Sequence, residues 1–201
     1  AELGTALGRI EADPNAYRAV QEQARAITFA QSDIPASRRC ADAIAAFCAK
    51  LGVRTVQLHG EISVEELRQL RQIAPELTVF KSLVVRAGNE PALRQMVLET
   101  APYVAAYITD TFNPATGQEG ATGLTHDWNI SRRLVELSPR PVILAGGLTP
   151  DNVAEAIRLV GPAGVDTHTG VEGPDGRKSA AKVRAFVEAA RQAYSKRPPT
   201  R

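Results

Sequence analysis

The chain has 201 residues, of which 44% are hydrophobic and 23% are charged, so it can form one ordinary packed domain. The net charge of +2 is too small to favour nucleic acid or an anionic membrane surface as a partner. No apolar run reaches the roughly 18 residues of a transmembrane helix, and the opening stretch AELGTALGRIEADP does not resemble a secretory signal. With only two cysteines, Cys40 and Cys48, the sequence predicts a reduced cytoplasmic protein.

Short apolar runs alternate with amphipathic stretches along the whole chain. A weak candidate strand covers 5–10. The predicted strand and helix pairs then follow in chain order: 25–31 with 36–52, 53–60 with 63–75, 77–85 with 90–102, 104–112 with 129–137, 140–147 with 150–161, and 163–170 with 179–196. This alternation predicts βα units around a parallel sheet. No change in composition marks a boundary, so we predict a single domain over 1–201 with a frayed tail over 197–201.

Two architectures fit these units: an open, doubly wound sheet and a (β/α)₈ barrel. In both of them ligands bind at the carboxyl ends of the parallel strands. The side chains that follow each strand are therefore the ones to read for chemistry.

Two successive strands end in glycines. Gly146 and Gly147 close one strand, Thr169 and Gly170 close the next, and Thr149 or Asp151 is predicted to cap the helix between them. Glycine lets a ligand approach the backbone, and a helix N-terminus attracts anions. One such turn is explained by chain reversal alone, whereas two in succession favour a phosphate site.

Six motifs occur in an order that resembles one enzyme family. They are VQLHGE (56–61), FKS (80–82), ITD (108–110), GATGLTHDW (120–128), LAGGLTPDNVAEAI (144–157) and VDTHTGVEGPDGRKS (165–179). Together they resemble the phosphoribosylanthranilate isomerases of tryptophan biosynthesis over about residues 25–190. The resemblance implies a (β/α)₈ TIM barrel, with an atypical or incomplete N-terminal part in this sequence.

The same resemblance implies an Amadori rearrangement, in which a phosphoribosyl-amine becomes a 1-deoxyribulose phosphate. A general acid protonates the ring oxygen to open the sugar, and a general base then removes the C2 proton of the Schiff base. No cofactor and no metal ion are expected. The expected partner is a small phosphorylated sugar-amine, and the protein is expected to be a monomer or a homodimer.

Roles in the site also follow from the resemblance. Asp110 takes the place of the general acid, and Asp166 lies near the substrate. The residues implied in phosphate or substrate binding are Gly123, Gly146, Gly147, Thr169, Gly170, Gln57 and His59. A hydrogen-bonded structural role remains an alternative for His59.

The sequence departs from the family at its N-terminal end. It shows neither a first strand ending in Cys-Gly, where the family carries its general base, nor the Lys-Ser-x-Arg-Tyr segment whose Arg holds the anthranilate carboxylate. Cys40 and Cys48 lie in a helical pattern and are predicted to be core residues rather than catalytic thiols. Two explanations stay open: the strand precedes Ala1, or the chain is a diverged paralogue whose exposed sheet edge is covered by residues 1–24 or by a partner chain.

Three functions are therefore weighed. The first is the family reaction itself. The second is isomerisation of another phosphorylated aminosugar, with Asp110 as acid and Asp166 or His168 as base, since His168 replaces the family's usual Ser. The third is a protein that binds a phosphorylated ligand without turnover. We favour an isomerase.

Overall fold

The computed structural model describes residues 36–113, 115, 118–119 and 124–196. The candidate strands over 5–10 and 25–31, the residues 1–24, Gly123 and the tail over 197–201 lie outside the described residues. The described chain divides into a smaller unit, 36–54 with 65–77, and a larger unit, 55–64 with 78–196. The prediction of a single domain stays a prediction.

The smaller unit is helical. Helix α1 covers Ala36–Leu51, and most of helix α2, Val64–Ile73, belongs to the same unit. Leu67 and Leu70 are fully buried, and their spacing of three puts them on one helix face. The side chain of Arg71 donates to the carbonyl oxygens of Pro75 and Leu77 and so stabilises the end of α2.

The larger unit contains the sheet. Its strands are β1 Thr55–Leu58, β2 Thr78–Val85, β3 Ala106–Asn113, β4 Gln118–Glu119, β5 Val142–Leu144 and β6 Gly164–Val165. Its remaining helices are α3 Glu90–Thr100, α4 Trp128–Leu137, α5 Val153–Val160, the 3₁₀ helix Thr169–Val171 and α6 Ala180–Ser195. Asp127 caps α4, because its side chain accepts a hydrogen bond from the backbone N–H of Asn129 at 2.9 Å.

Five of the strands are parallel, in the order β1–β2–β3–β5–β6. Their carboxyl ends therefore meet at one edge of the sheet, as the sequence predicts. The register aligns Leu58 with Lys81, and Val84 with Asp110. The short strand β4 pairs antiparallel with β3, which the prediction of a plain loop after residue 112 did not include.

The two faces of the sheet differ. One face carries Val79, Leu83, Tyr107 and Leu144, all nearly inaccessible, and the Tyr107 hydroxyl donates to the Val97 carbonyl of α3. This face is covered by helices. Strand alternation places Gln57, Ser82, Ile108 and Asp110 on the opposite face, which we call the site face.

Several boundaries differ from the prediction, and the strands predicted over 53–60 and 140–147 are shorter, at Thr55–Leu58 and Val142–Leu144. The predicted strand over 163–170 ends at Val165, and its last two residues lie instead in the 3₁₀ helix Thr169–Val171. The helix predicted from residue 150 begins at Val153. Glycines follow the strand in both places, with Pro150 in addition after β5, and they favour a tight turn over continued regular structure.

Candidate active site

Asp110 lies near the carboxyl end of β3, on the site face. Its carboxylate accepts a hydrogen bond from the Thr111 backbone N–H at 2.8 Å. Its other oxygen is 3.0 Å from Nε2 of His59, which follows β1. The side chain of Asp110 is 16% exposed, so the carboxylate is held in place yet reaches solvent.

His59 and Gln57 belong to the same face. Gln57 donates to the Ser82 hydroxyl at 3.0 Å. The turn after His59 is fixed by Lys81, whose Nζ donates to the Gly60 carbonyl at 2.7 Å and to the Ser82 carbonyl at 2.9 Å. Burial lowers the pKa of Lys81, and the charge of Glu61 opposes this shift. His59 is therefore hydrogen-bonded, and its partner is the predicted acid.

Asp166 follows β6. Its backbone N–H continues the sheet ladder to the Leu144 carbonyl at 2.9 Å. Because Ile143 pairs with Gly164, alternation puts Asp166 on the site face with Asp110. Burial raises the pKa of Asp166, and the charge of Asp110 raises it further. The structure thus brings two interacting carboxylates to the same edge of the sheet.

His168 lies at the exposed rim of this edge, where its charge acts on Asp166. Its side chain is 63% exposed and its Nδ1 is 3.4 Å from the Glu172 carboxylate. Lys178 donates to that carboxylate at 2.6 Å and to the His168 carbonyl at 2.8 Å. His168 therefore belongs to an exposed charged cluster.

The two glycines after β5 have positive φ angles, 102° at Gly146 and 63° at Gly147. A Cβ atom on Gly146 would lie 2.1 Å from the Thr111 hydroxyl, and one on Gly147 would lie 2.5–2.6 Å from the backbone of Leu124 and Thr125. Only glycine allows both the backbone angles and these close approaches.

Gly170 is packed just as tightly. A Cβ atom there would lie 1.9 Å from the Leu148 carbonyl oxygen, which also accepts a hydrogen bond from the Thr167 hydroxyl at 2.7 Å. The glycine turns after β5 and β6 are therefore in contact. This places Thr169 and Gly170 beside the Gly146–Gly147 turn.

The predicted caps of α5, Thr149 and Asp151, are wrong. Asn152 is the N-cap residue, and its side chain does not cap the helix. The Asn152 amide instead accepts from the Thr149 N–H at 2.8 Å and donates to the Gly147 carbonyl at 3.0 Å. The Asn152 side chain therefore stabilises the glycine turn through hydrogen bonds to nearby backbone groups instead of capping α5.

His126 lies close to Asp110 and was not among the predicted site residues. Its Nδ1 is 2.8 Å from the Thr111 hydroxyl, next to Asp110, and its Nε2 is 2.6 Å from the Ser131 hydroxyl in α4. Burial lowers the pKa of His126 to about 4, against the opposing charges of Asp110 and Asp127. Its place within GATGLTHDW was visible, but nothing in the spacing revealed its partners.

Neither cysteine resembles an activated thiol. Cys48 is buried and Cys40 is partly buried, and both are free. Burial raises the pKa of both thiols, and Glu66 raises that of Cys40 further. Across the ranges that the structure describes, three or more His, Cys, Asp or Glu side chains nowhere group as metal ligands.

The model of the N-(5′-phosphoribosyl)anthranilate (PRA) isomerase family matches residues 38–189. This chain belongs to the phosphoribosylanthranilate isomerase family. The members of this family are isomerases of tryptophan biosynthesis. The fold of the family is the (β/α) barrel, and the described parallel sheet and its helices are consistent with it. No described helix is long and apolar enough to span a membrane.

Relatives in the phosphoribosylanthranilate isomerase family are close in sequence. The isomerase 2 of Methanosarcina mazei is 41% identical over 78% of this chain and 68% of its own length. The isomerase of Methanosarcina acetivorans is 40% identical over 73% of this chain and 64% of its own length. The isomerase of Haloferax volcanii is 44% identical over 72% of this chain and 61% of its own length. The matched region thus spans about two thirds or somewhat less of each relative.

Solved structures of phosphoribosylanthranilate isomerases share the fold. The Thermotoga maritima enzyme has a TM-score of 0.60 at 28% identity, over 76% of this chain and 68% of its own. Monomers made from that dimeric enzyme give 0.59 at 28% identity, with the same coverage of both chains. A phosphoribosylanthranilate isomerase in complex with reduced 1-(o-carboxyphenylamino)-1-deoxyribulose 5-phosphate has a TM-score of 0.57 at 26% identity. The match covers 76% of this chain and 66% of that structure's chain.

Proposed function

We propose that this chain isomerises N-(5′-phosphoribosyl)anthranilate to 1-(o-carboxyphenylamino)-1-deoxyribulose 5-phosphate. The observation that carries the proposal is the pair of carboxylates, Asp110 and Asp166, on the site face at the carboxyl edge of the sheet. An Amadori rearrangement needs one group that gives a proton and one that takes a proton. The two carboxylates at this edge are proposed to divide these roles, with Asp110 as the acid and Asp166 as the base.

The reaction needs no external oxidant or reductant. A proton from Asp110 goes to the ring oxygen, the C1–O bond breaks, and the nitrogen lone pair forms the C=N bond. The base removes the C2 proton, and the C=N electrons return to nitrogen as a C1=C2 bond forms. The enol then loses its hydroxyl proton while C1 gains one, so C2 is oxidised to a ketone as C1 is reduced.

Of the two base candidates, Asp166 is the better placed. It is on the face of Asp110, and its raised pKa makes its carboxylate a stronger base than an ordinary aspartate. His168 is mostly exposed and is engaged by Glu172, so we assign it no proton transfer. Its position at the rim is compatible with a contact to the substrate.

The substrate phosphate is proposed to bind at the two glycine turns. The turns at Gly146–Gly147 and Thr169–Gly170 are in contact, and α5 follows the first of them, beginning at Val153. Backbone N–H groups at such turns bind phosphate without a cation. His59 and Gln57 lie across the edge, at the side of Asp110, where they reach the sugar or its aromatic substituent.

The proposal includes the cellular setting that the sequence predicts. The protein is proposed to act in the cytoplasm on a small phosphorylated sugar-amine, as a monomer or homodimer, without a cofactor, a metal ion or a nucleic-acid partner. The non-catalytic alternative is less favoured, because the acid and its hydrogen-bond partners are arranged together.

The test uses the fluorescence of phosphoribosylanthranilate, which disappears on isomerisation. The 201-residue chain is mixed with substrate in single-turnover conditions, together with Asp110→Asn and Glu136→Gln variants. We expect Asp110→Asn to slow the reaction by at least about 100-fold, the usual contribution of a general acid. Glu136→Gln makes the same carboxylate-to-amide change on the exposed side of α4 and should leave the rate unchanged.

Binding of a reduced product analogue, measured by calorimetry, separates the remaining functions. Binding without loss of fluorescence would support a non-catalytic phosphate-binding protein and contradict the proposal. Turnover that survives Asp110→Asn at full rate would remove Asp110 from the mechanism.

A further inference from the structure

His126 joins three parts of the larger unit through one ring. Its Nδ1 is bonded to the Thr111 hydroxyl at the end of β3, and its Nε2 to the Ser131 hydroxyl in α4. His126 itself belongs to the segment Leu124–Asp127, which leads into α4. The imidazole therefore fixes this segment between the strand that carries Asp110 and the helix that follows.

The glycine turn after β5 rests on the same groups. The position of a Gly146 Cβ would be 2.1 Å from the Thr111 hydroxyl and 3.1 Å from Nδ1 of His126. The position of a Gly147 Cβ would be 2.6 Å from the Leu124 carbonyl oxygen and the Thr125 nitrogen. The surface on which the turn is packed is thus made by the His126–Thr111 pair and the two residues before His126.

We infer that His126 is a positioning residue for phosphate binding, which holds the surface that supports the Gly146–Gly147 turn. This inference rests on the proposed function, because it takes that turn as the phosphate subsite. His126 does not touch the substrate in this role. It acts through Thr111 and through the backbone of Leu124 and Thr125.

The ring chemistry suits this role. Burial keeps the imidazole neutral at ordinary pH, with one nitrogen that donates and one that accepts. Each hydroxyl can donate or accept, so both bonds are satisfied with either tautomer. A phenylalanine would fill similar space without either hydrogen bond. The shorter side chain of asparagine would keep the hydrogen bond that Nδ1 makes to the Thr111 hydroxyl and lose the one to Ser131.

The experiment compares three variants with the wild-type chain: His126→Phe, His126→Asn and Ser131→Ala. Inorganic phosphate binding is measured by calorimetry, and kcat and KM are measured with phosphoribosylanthranilate. We expect His126→Phe to weaken phosphate binding and to raise KM by about tenfold, the scale of one lost positioning hydrogen bond. The change in kcat should be smaller, since Asp110 keeps its bonds to His59 and Thr111.

The other two variants separate positioning from stability. His126→Asn should recover most of the phosphate affinity, because it restores the bond towards Thr111. Ser131→Ala removes only the hydrogen bond between His126 and helix α4. It should therefore lower the melting temperature and leave the phosphate affinity close to the wild-type value. A folded His126→Phe variant with wild-type phosphate affinity and KM would overturn the inference.

Failure of the proposed function has a different signature. If the wild-type chain binds phosphate but does not turn over, the isomerase proposal fails, and the phosphate affinities of the variants still decide the role of His126. If it turns over but does not bind phosphate at millimolar concentration, the isomerase proposal stands and the inference is wrong.

Discussion

Hydrogen bonds from neighbouring elements determine what each titratable side chain of the site can do. Asp110 accepts from a backbone N–H and contacts the ring of His59. The pKa of Asp166 is raised by burial and by the charge of Asp110, and the charges of His168 and Lys178 oppose this shift. The two aspartates are chemically equal in the sequence. Their environments make them different, which the proposed division into an acid and a base requires.

The lowered pKa of His126 predicts how the stability of the protein depends on pH. The folded pKa is about 4, whereas the unfolded value is near 6.5. Above the unfolded value the ring is neutral in both states, and between the two values only the unfolded chain takes up the proton. Stability should therefore fall as pH falls from about 6.5 to 4, by at most about 3 kcal/mol from this group.

Urea unfolding at a series of pH values between 4 and 7.5 measures this effect. The His126→Phe variant lacks the titrating ring, so its unfolding free energy should depend less steeply on pH in that window. Parallel curves for the two proteins would show that the ring of His126 is not protected from protonation in the folded state.

At the scale of elements, tight turns after β5 and β6 replace what the sequence predicts as longer strands and an earlier helix. These turns are determined by close approaches of backbone to backbone, such as Gly170 against Leu148. Helix α5 and helix α6 then bury Val153, Ile157 and Phe186 in one apolar cluster with Leu144. The position of the glycines is therefore coupled to the packing of the core.

A pair of glycine substitutions tests this coupling. Gly170→Ala places a methyl group against the Leu148 carbonyl oxygen, at 1.9 Å before relaxation, and should destabilise the protein by about 1–3 kcal/mol. Gly164→Ala in β6 is the matched control, because its methyl group would meet only Ile143 at 3.6 Å. It should be neutral or stabilising by up to about 1 kcal/mol. Equal effects in thermal unfolding would contradict the explanation.

At the scale of the whole molecule, family membership decides what the sequence periodicity left open between two architectures. The family match covers 38–189 and the solved isomerases share the fold, so the parallel sheet belongs to a barrel family rather than to a doubly wound one. One of the similar structures derives from a dimeric enzyme. For this chain, a monomer or a homodimer remains a prediction.

Light scattering after size-exclusion chromatography measures that state. We expect a mass of 21.5 kDa or of twice that value, for a monomer or a homodimer. The measurement should be repeated over a range of protein concentrations, because a weak dimer dissociates on dilution. Larger assemblies would contradict the expectation and would point to association through an exposed sheet edge.

The sequence by itself determined the order of strands and helices, the edge of the sheet at which the proposed site lies, and the family. Apolar periodicity and the motifs around Asp110, Gly146 and Gly170 are local patterns. Only the tertiary structure decided which side chains meet. His59 and Asp110 are 51 residues apart, and His126 meets Thr111 and Gly146 from different elements. Such contacts depend on strand register and turn geometry, and no local pattern encodes either of them.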